Sequence, residues 1–293
     1  MDLQVYLHTT AETIDSALDQ FIPSEKTKPH TIHKAMRYSI FAGGKRLRPA
    51  LCLAAAQASG GDPQNATFAA AAVECIHTYS LIHDDLPCMD NDDLRRGRPT
   101  SHKVFGDGIA VLAGDALNTL AFEILAKATP TSRYNVATQI SELALAAGSR
   151  WLIAGQVMDL EGEGKKLSKS SLEFIHRAKT AALLTAAIRL GAMSANATPA
   201  KLNALTEFGQ CLGLAFQVID DILDVTQSTE KLGKTAGKDI TAVKSTYPAL
   251  FGLKKSRAIA KTLTQKAQTA LTPFGKKGAV LSALANSLLA REY

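Results

Sequence analysis

The run at residues 212–225 is mostly apolar, yet its stretch Phe-Gln-Val-Ile-Asp-Asp-Ile-Leu-Asp-Val carries three carboxylates, Asp220, Asp221 and Asp224. A solvated face does not read this way, so the run predicts a largely buried helix on which Asp220 and Asp224, one turn apart, share a face. A second cluster lies at residues 83–98, where Asp84, Asp85, Asp90, Asp92 and Asp93 are followed at once by Arg95, Arg96 and Arg98, after an apolar helical stretch at 69–82. Alone, a charge run reads as a solvated helix end. Two unit charges ~6 Å apart at an effective dielectric of ~20 repel by roughly 3 kcal/mol, so two such clusters require cations among them. Oxygen ligands favour a hard cation, and Mg²⁺ is the one that accepts few protein ligands while keeping waters and phosphate oxygens. With the Lys and Arg around them, the two clusters describe a site for a metal-bridged diphosphate.

At 293 residues the chain is long enough for one large domain or two, with a substantial core. Its formal charge of +6 invites a nucleic-acid reading. The basic residues are dispersed, however, without a stripe of interleaved aromatics, which disfavours nucleic acid as a partner. Cys52, Cys75, Cys88 and Cys211 lie far apart, with neither zinc spacing nor a disulfide framework, and read as reduced thiols of a cytoplasmic enzyme. The acidic residues near the N-terminus form no signal or transit pattern, and the Ala-rich stretch at 69–82 is too short to span a bilayer, so no membrane insertion is expected.

Taken in order, apolar residues at Leu3, Leu7, Ile14, Leu18 and Phe21 mark a first helix ended by Pro23, and a second at 31–41 stops at Gly43-Gly44. Lys45, Arg46 and Arg48 precede Pro49, which suits the first turn of a helix at 49–59. Cations at a helix N-terminus run against the macrodipole and imply an outside anion; for Arg46 a basic surface turn is the alternative. The next helix, 65–86, carries His77 two turns before Asp84, where a core histidine is the default reading. Pro87 ends or kinks it, so the helical period does not place Asp90. Further helices are expected at 109–128, 131–162, 170–193 and 199–226, with Gln156 and Asp159 on one face and Lys179 on an Ala-rich length. The polar segment 227–243, with Gly233, Gly237, Lys234 and Lys238, is a candidate lid. Two or three helices, broken near 273–278, complete the chain. No alternating strand pattern is present, and the expected fold is all-α, one domain over residues 1–293, a many-helix bundle with its site between facing helices.

The motifs Asp84-Asp85-x-x-x-x-Asp90 and Asp220-Asp221-x-x-Asp224, with Gly43-Gly44-Lys45-Arg46-Leu47-Arg48-Pro49 upstream, resemble those of the trans-prenyl diphosphate synthases, in particular the short-chain farnesyl and geranylgeranyl diphosphate synthases. His77, Lys179-Thr180, Phe216-Gln217 and Lys244-Ser245-Thr246-Tyr247-Pro248 extend the likeness over nearly the whole chain, and five ordered motifs are a specific signal. The resemblance implies head-to-tail condensation of isopentenyl diphosphate with an allylic diphosphate by a homodimer. It makes Asp84, Asp85, Asp90, Asp220, Asp221 and Asp224 ligands of three Mg²⁺ ions. Lys45, Arg48, His77 and Arg96 would bind isopentenyl diphosphate, and Arg95, Lys179 and Lys234 the allylic diphosphate. Thr180 and Gln217 would face the allylic cation. The two extra residues of the first motif would bulge to return Asp90 beside Asp84. Tyr79, followed by small Ser80, resembles the tunnel floor of bacterial farnesyl synthases, whereas the segment around Pro87 looks like plant geranylgeranyl synthases; fifteen carbons is the expected product.

Two rival readings remain. A class I terpene cyclase also ionises a diphosphate on a helix-borne Asp cluster, but it needs no second diphosphate site of the Lys45, Arg48 and His77 kind. A non-catalytic synthase subunit would be expected to have lost aspartates, and all six are present.

Overall fold

The computed structural model describes residues 2–226 and 245–289. Helices dominate them: α1 Leu3–Phe21, α2 His30–Ile40, α3 Leu47–Ser59, α4 Thr67–Asp84, α5 Ser101–Phe105, α6 Asp107–Leu125, α7 Val136–Ala147, α8 Leu152–Gly162, α9 Lys169–Ile175, α10 Ala182–Ser194, α11 Pro199–Thr226, α12 Tyr247–Phe251, α13 Leu253–Ala270 and α14 Ala279–Leu289. Their ends follow local chemistry. The Asp2 side chain caps α1 by accepting from the Gln4 amide at 2.8 Å, and Pro23 lies just past its end. Pro49 sits in the first turn of α3, where a missing amide hydrogen costs nothing.

The centre of the bundle is built from small residues. Ala50, Ala55 and the run Ala69–Ala72 on α3 and α4 are fully buried, which lets helix axes approach closely. The same economy brings α10 onto α3, where a Cβ on Gly191 would stand 1.9 Å from the Cys52 carbonyl oxygen. Helix α11, 28 residues and so about 42 Å long, buries Leu205, Phe208 and Leu212 in this main core. Its C-terminal half buries Val218, Ile219, Ile222 and Leu223 in a second, smaller cluster with Tyr247 of α12. All three of its aspartates fall in that half.

Four expectations need correction. Residues 131–162 form two helices, broken between Ala147 and Leu152. Residues 170–193 are interrupted by a π-helical turn, His176–Ala181, between α9 and α10. Residues 94–99 form a minimal antiparallel hairpin, Leu94–Arg95 paired with Arg98–Pro99. Its two-residue turn, Arg96 (φ 54°) and Gly97 (φ 75°), has both positive φ angles of a type I′ hairpin turn, too short to leave an alternating pattern. Arg46 is no surface residue but 2 % exposed, held left-handed (φ 45°) with its guanidinium on Glu74 (2.8 Å) and Asp15 (2.7 Å).

Helix α6 is long and apolar enough, by length and composition, to cross a membrane. It buries Ala113, Leu117 and Ile124 within the main core and exposes Val111 and Leu112 on its opposite side.

Candidate active site

The first carboxylate cluster forms where α4 stops. Asp84 is its last residue and Asp85 its cap. Because Pro87 prevents continuation, the chain turns back: the Asp90 amide donates to the Asp84 carbonyl at 2.9 Å, the Asn91 amide to Leu86 at 3.1 Å and the Asp92 amide to Asp85 at 3.1 Å. This folds the two extra residues of the motif into a bulge that brings the Asp90 backbone against Asp84. The hairpin then delivers its arginines. Arg95 Nε donates to Asp85 Oδ1 at 3.0 Å, and Arg95 Nη2 lies 3.3 Å from Asp92. Arg96, on the turn, donates to the Gly43 carbonyl.

Helix α8 and the π turn form the opposing wall. Gln156 donates to Asp84 Oδ1. Lys179 Nζ lies 2.8 Å from Asp159 and 3.7 Å from Asp84. Burial alone would lower the Lys179 ammonium, but Asp84 and Asp159 outweigh it and hold it above its ordinary value, so it stays charged. Burial raises the carboxyls of Asp84 and Asp85, with Lys179 and Arg95 respectively opposing the rise. This turn meets α8 at Gly155, where a Cβ would stand 2.2 Å from the Lys179 nitrogen; only glycine permits the approach. The next residue, Thr180, donates its hydroxyl to Gln217 Oε1 at 2.9 Å, and Gln217 Nε2 donates to Asp221 Oδ1 at 3.2 Å.

The carboxylates of α11 diverge in use. Asp221, 4 % exposed, also accepts from the Tyr247 amide at 2.9 Å, and His176 Nε2 lies 3.6 Å from it. Burial holds the His176 imidazole near 3, so that contact is with a neutral ring. Asp224 is buried, and its Oδ2 has no hydrogen-bond partner. A buried, unpartnered carboxylate oxygen is an incomplete arrangement that a cation would complete. Among the described residues no three His, Cys, Asp or Glu side chains converge as a closed cage. The fit to a hard cation rests on the unpartnered Asp224 oxygen and on donors that are all carboxylates; such a cation would draw its remaining oxygens from water and phosphate.

A basic cradle lies beside these clusters. Burial, then Arg48, Arg96 and Arg95 in turn, hold the His77 imidazole well below its ordinary value, so it is neutral amid cations. Burial likewise pulls the Arg48 guanidinium down to about 10, with Glu74 opposing and Arg96 adding to the fall. Arg48 Nε is buried without a hydrogen-bond partner. A donor left orphaned among like charges fits an anion. Lys45 is exposed.

Tyr79, 7 % exposed, packs edge-on against His83 with ring centroids 5.7 Å apart. The Ser80 hydroxyl turns back to the His77 carbonyl at 2.8 Å. Lys234 and the candidate lid at 227–243 lie outside the described residues. Reasoning from sequence missed the roles of Asp159, Gln156 and His176; the one available signal was the shared face of Gln156 and Asp159 on an apolar helix.

The comparisons with known proteins bear on the whole chain. The sequence pattern of the polyprenyl synthetase family matches residues 29–282. The "Heterodimeric geranylgeranyl pyrophosphate synthase large subunit 1, chloroplastic" of Arabidopsis thaliana is 53 % identical over 298 residues, covering 99 % of this chain and 80 % of that one. The solved structure of a geranylgeranyl pyrophosphate synthetase from Pyrococcus horikoshii Ot3 superposes with a TM-score of 0.89 at 33 % identity, covering 99 % and 98 % of the two chains. That of an FPP/GFPP synthase from Zymomonas mobilis gives 0.85 at 35 % identity, covering 98 % of each. An all-α bundle, two aspartate clusters linked through Lys179, Thr180 and Gln217, and a family pattern spanning most of the length agree: the chain belongs to the polyprenyl synthetase family.

Proposed function

We propose that this protein condenses isopentenyl diphosphate head-to-tail with dimethylallyl and then geranyl diphosphate, releasing mainly the fifteen-carbon farnesyl diphosphate. One observation carries the reading. The two carboxylate clusters, far apart in sequence, are joined by a continuous series of contacts and chain neighbours, Asp84 to Lys179, Thr180 to Gln217 and Gln217 to Asp221.

In this reading Asp84, Asp90, Asp220 and Asp224 would hold the Mg²⁺ ions, three by the resemblance, while Asp85 and Asp221 give their oxygens to Arg95, Gln217 and Tyr247. Bound there, Mg²⁺ supplies the Lewis-acid charge that makes diphosphate a good leaving group. Lys179 and Arg95 add fixed positive charge, a role the resemblance also gives to Lys234. The allylic carbon–oxygen bond breaks with its electron pair leaving on diphosphate. The resulting cation needs negative dipoles and no water, and the Gln217 oxygen and the Thr180 hydroxyl suit that need. Arg48, His77, Arg96 and Lys45 hold isopentenyl diphosphate, whose double bond attacks the cation; a carbon–carbon bond forms, and the released diphosphate takes the proton lost. Neutral His77 is then a hydrogen-bond donor to phosphate that adds no repulsion to the arginines around it.

Tyr79 before Ser80 supports the fifteen-carbon product. The geranylgeranyl pyrophosphate synthase name of the Arabidopsis thaliana relative favours a second reading, a twenty-carbon product. Product chromatography after turnover with Mg²⁺, isopentenyl and dimethylallyl diphosphates decides: farnesyl as the main product is expected, mostly geranylgeranyl rejects the chain length, and no condensation rejects the function. We read the enzyme as a cytoplasmic homodimer whose second copy covers Val111 and Leu112 of α6, exposed by 39 % and 54 %. Leu112→Glu should then sediment as a monomer, and a wild type that is itself monomeric would end that idea.

A further inference from the structure

Asp221 stands in the aspartate motif with both of its carboxylate oxygens engaged by protein groups. Its Oδ1 accepts from Gln217 Nε2 at 3.2 Å, and its Oδ2 accepts from the Tyr247 amide at 2.9 Å with the His176 ring 3.6 Å away. The helix dictates this. Residues 220 and 224 share a face; residue 221 is turned about 100° from 220, toward the smaller core in which Tyr247 is buried.

A glutamine amide has a donor end and an acceptor end of nearly the same size, and its neighbours decide which way it points. An ionised carboxylate only accepts, so a glutamine beside one must present its NH₂ there and its oxygen on the other side. Here the other side is Thr180, whose hydroxyl donates to Gln217 Oε1 at 2.9 Å. Thr180 follows Lys179, which lies 3.7 Å from Asp84. The polarity of the Gln217 amide is therefore set from behind, by Asp221.

We propose that Asp221 is a positioning residue of the condensation reaction, acting through Gln217 by fixing its amide oxygen toward Thr180, and is not a ligand of the metal. This rests on the reading above, in which the Gln217 oxygen faces the allylic cation. If Asp221 becomes a neutral amide, Gln217 is free to turn its NH₂ to that side, and a positive dipole end then meets the cation.

The test uses three variants of the full chain: Asp221→Asn, Asp220→Asn and the double variant Asp221→Asn with Gln217→Glu. The double variant restores the original polarity by other means. The carboxylate introduced at position 217 presents only acceptor oxygens to Thr180, and the amide introduced at position 221 offers its NH₂ to that carboxylate and its oxygen to the Tyr247 amide. Asp221→Asn is expected to lower kcat at least tenfold with KM nearly unchanged. The double variant is expected to recover at least fivefold over it. A second readout is independent of turnover: the rise in Tm on adding Mg²⁺ with inorganic diphosphate, expected to persist in Asp221→Asn and to be lost in Asp220→Asn. The proposal is overturned by a wild-type kcat in Asp221→Asn, by loss of the Tm response in that variant, or by a double variant no faster than the single one. If Asp220→Asn keeps the Tm response, the metal assignment fails instead, and the comparison of the single and double variants still decides the role of Asp221.

Discussion

Gly155→Ala tests how tightly the site depends on the contact between α8 and the π turn. An ideal Cβ at residue 155 would stand 2.2 Å from the Lys179 nitrogen and 2.7 Å from its Cα, whereas ordinary contacts begin at 3.4 Å. The obstacle is backbone, so the helix and the turn must separate by about 1 Å. Lys179 would then lose its geometry against Asp159 (2.8 Å) and Asp84 (3.7 Å). Overpacking of this kind costs ~1–3 kcal/mol of stability, and a 1 Å displacement of a catalytic group costs on the order of 100-fold in rate. Gly191→Ala is the control, because its Cβ would meet the Cys52 carbonyl oxygen at 1.9 Å, between α10 and α3. Both variants should lose stability in urea melts. At a temperature well below both transitions, kcat should fall ~100-fold for Gly155→Ala and by less than tenfold for Gly191→Ala. Equal losses in the two would show that activity tracks general stability, and would refute the argument from the turn.

Tyr79, five residues before Asp84 and so ~7.5 Å up the helix axis, should limit tail growth: Tyr79→Ala is expected to shift product chromatograms from fifteen to twenty carbons at a stability cost of ~3–5 kcal/mol, and an unchanged product would reject it as the floor. Arg46→Met strands Glu74, whose side chain is 2 % exposed, and should cost ~3–5 kcal/mol in denaturant melts, most of it recovered by adding Glu74→Gln; a loss below about 1 kcal/mol would contradict the buried Arg46–Glu74 pair. Burial raises the folded-state pKa of Asp84, so its ionisation costs stability once the pH rises through that value, and the cost is absent below the unfolded carboxylate pKa. Asp84→Asn should accordingly raise the Tm of the metal-free protein at pH 7 to 8, with a gain that vanishes on acidification; a gain independent of pH would contradict this.

The helical class, the long α11 and the shared face of Asp220 and Asp224 were legible because they rest on local regularities. Helical periodicity puts Asp220 and Asp224 on one face whatever surrounds them, and Pro87 stops α4 beside Asp84 by removing an amide hydrogen. The resemblance added the basic residues in order. What escaped the sequence depends on partners brought together from afar. Arg46 reads the same as Lys45 and Arg48 until Asp15 and Glu74, on two other helices, close on it, because an ion pair leaves no trace in the spacing of one partner. The π turn under Lys179 depends on α8 arriving at Gly155, and the hairpin is too short for period-two alternation to register. Asp221 is the clearest case. Sequence gives it the same letter and nearly the same place as Asp220, and only the fold, by setting it about 100° round the helix against Gln217 and Tyr247, gives its oxygens their partners. A side chain's chemistry is local, but the groups that satisfy it are chosen by the packing of the whole bundle.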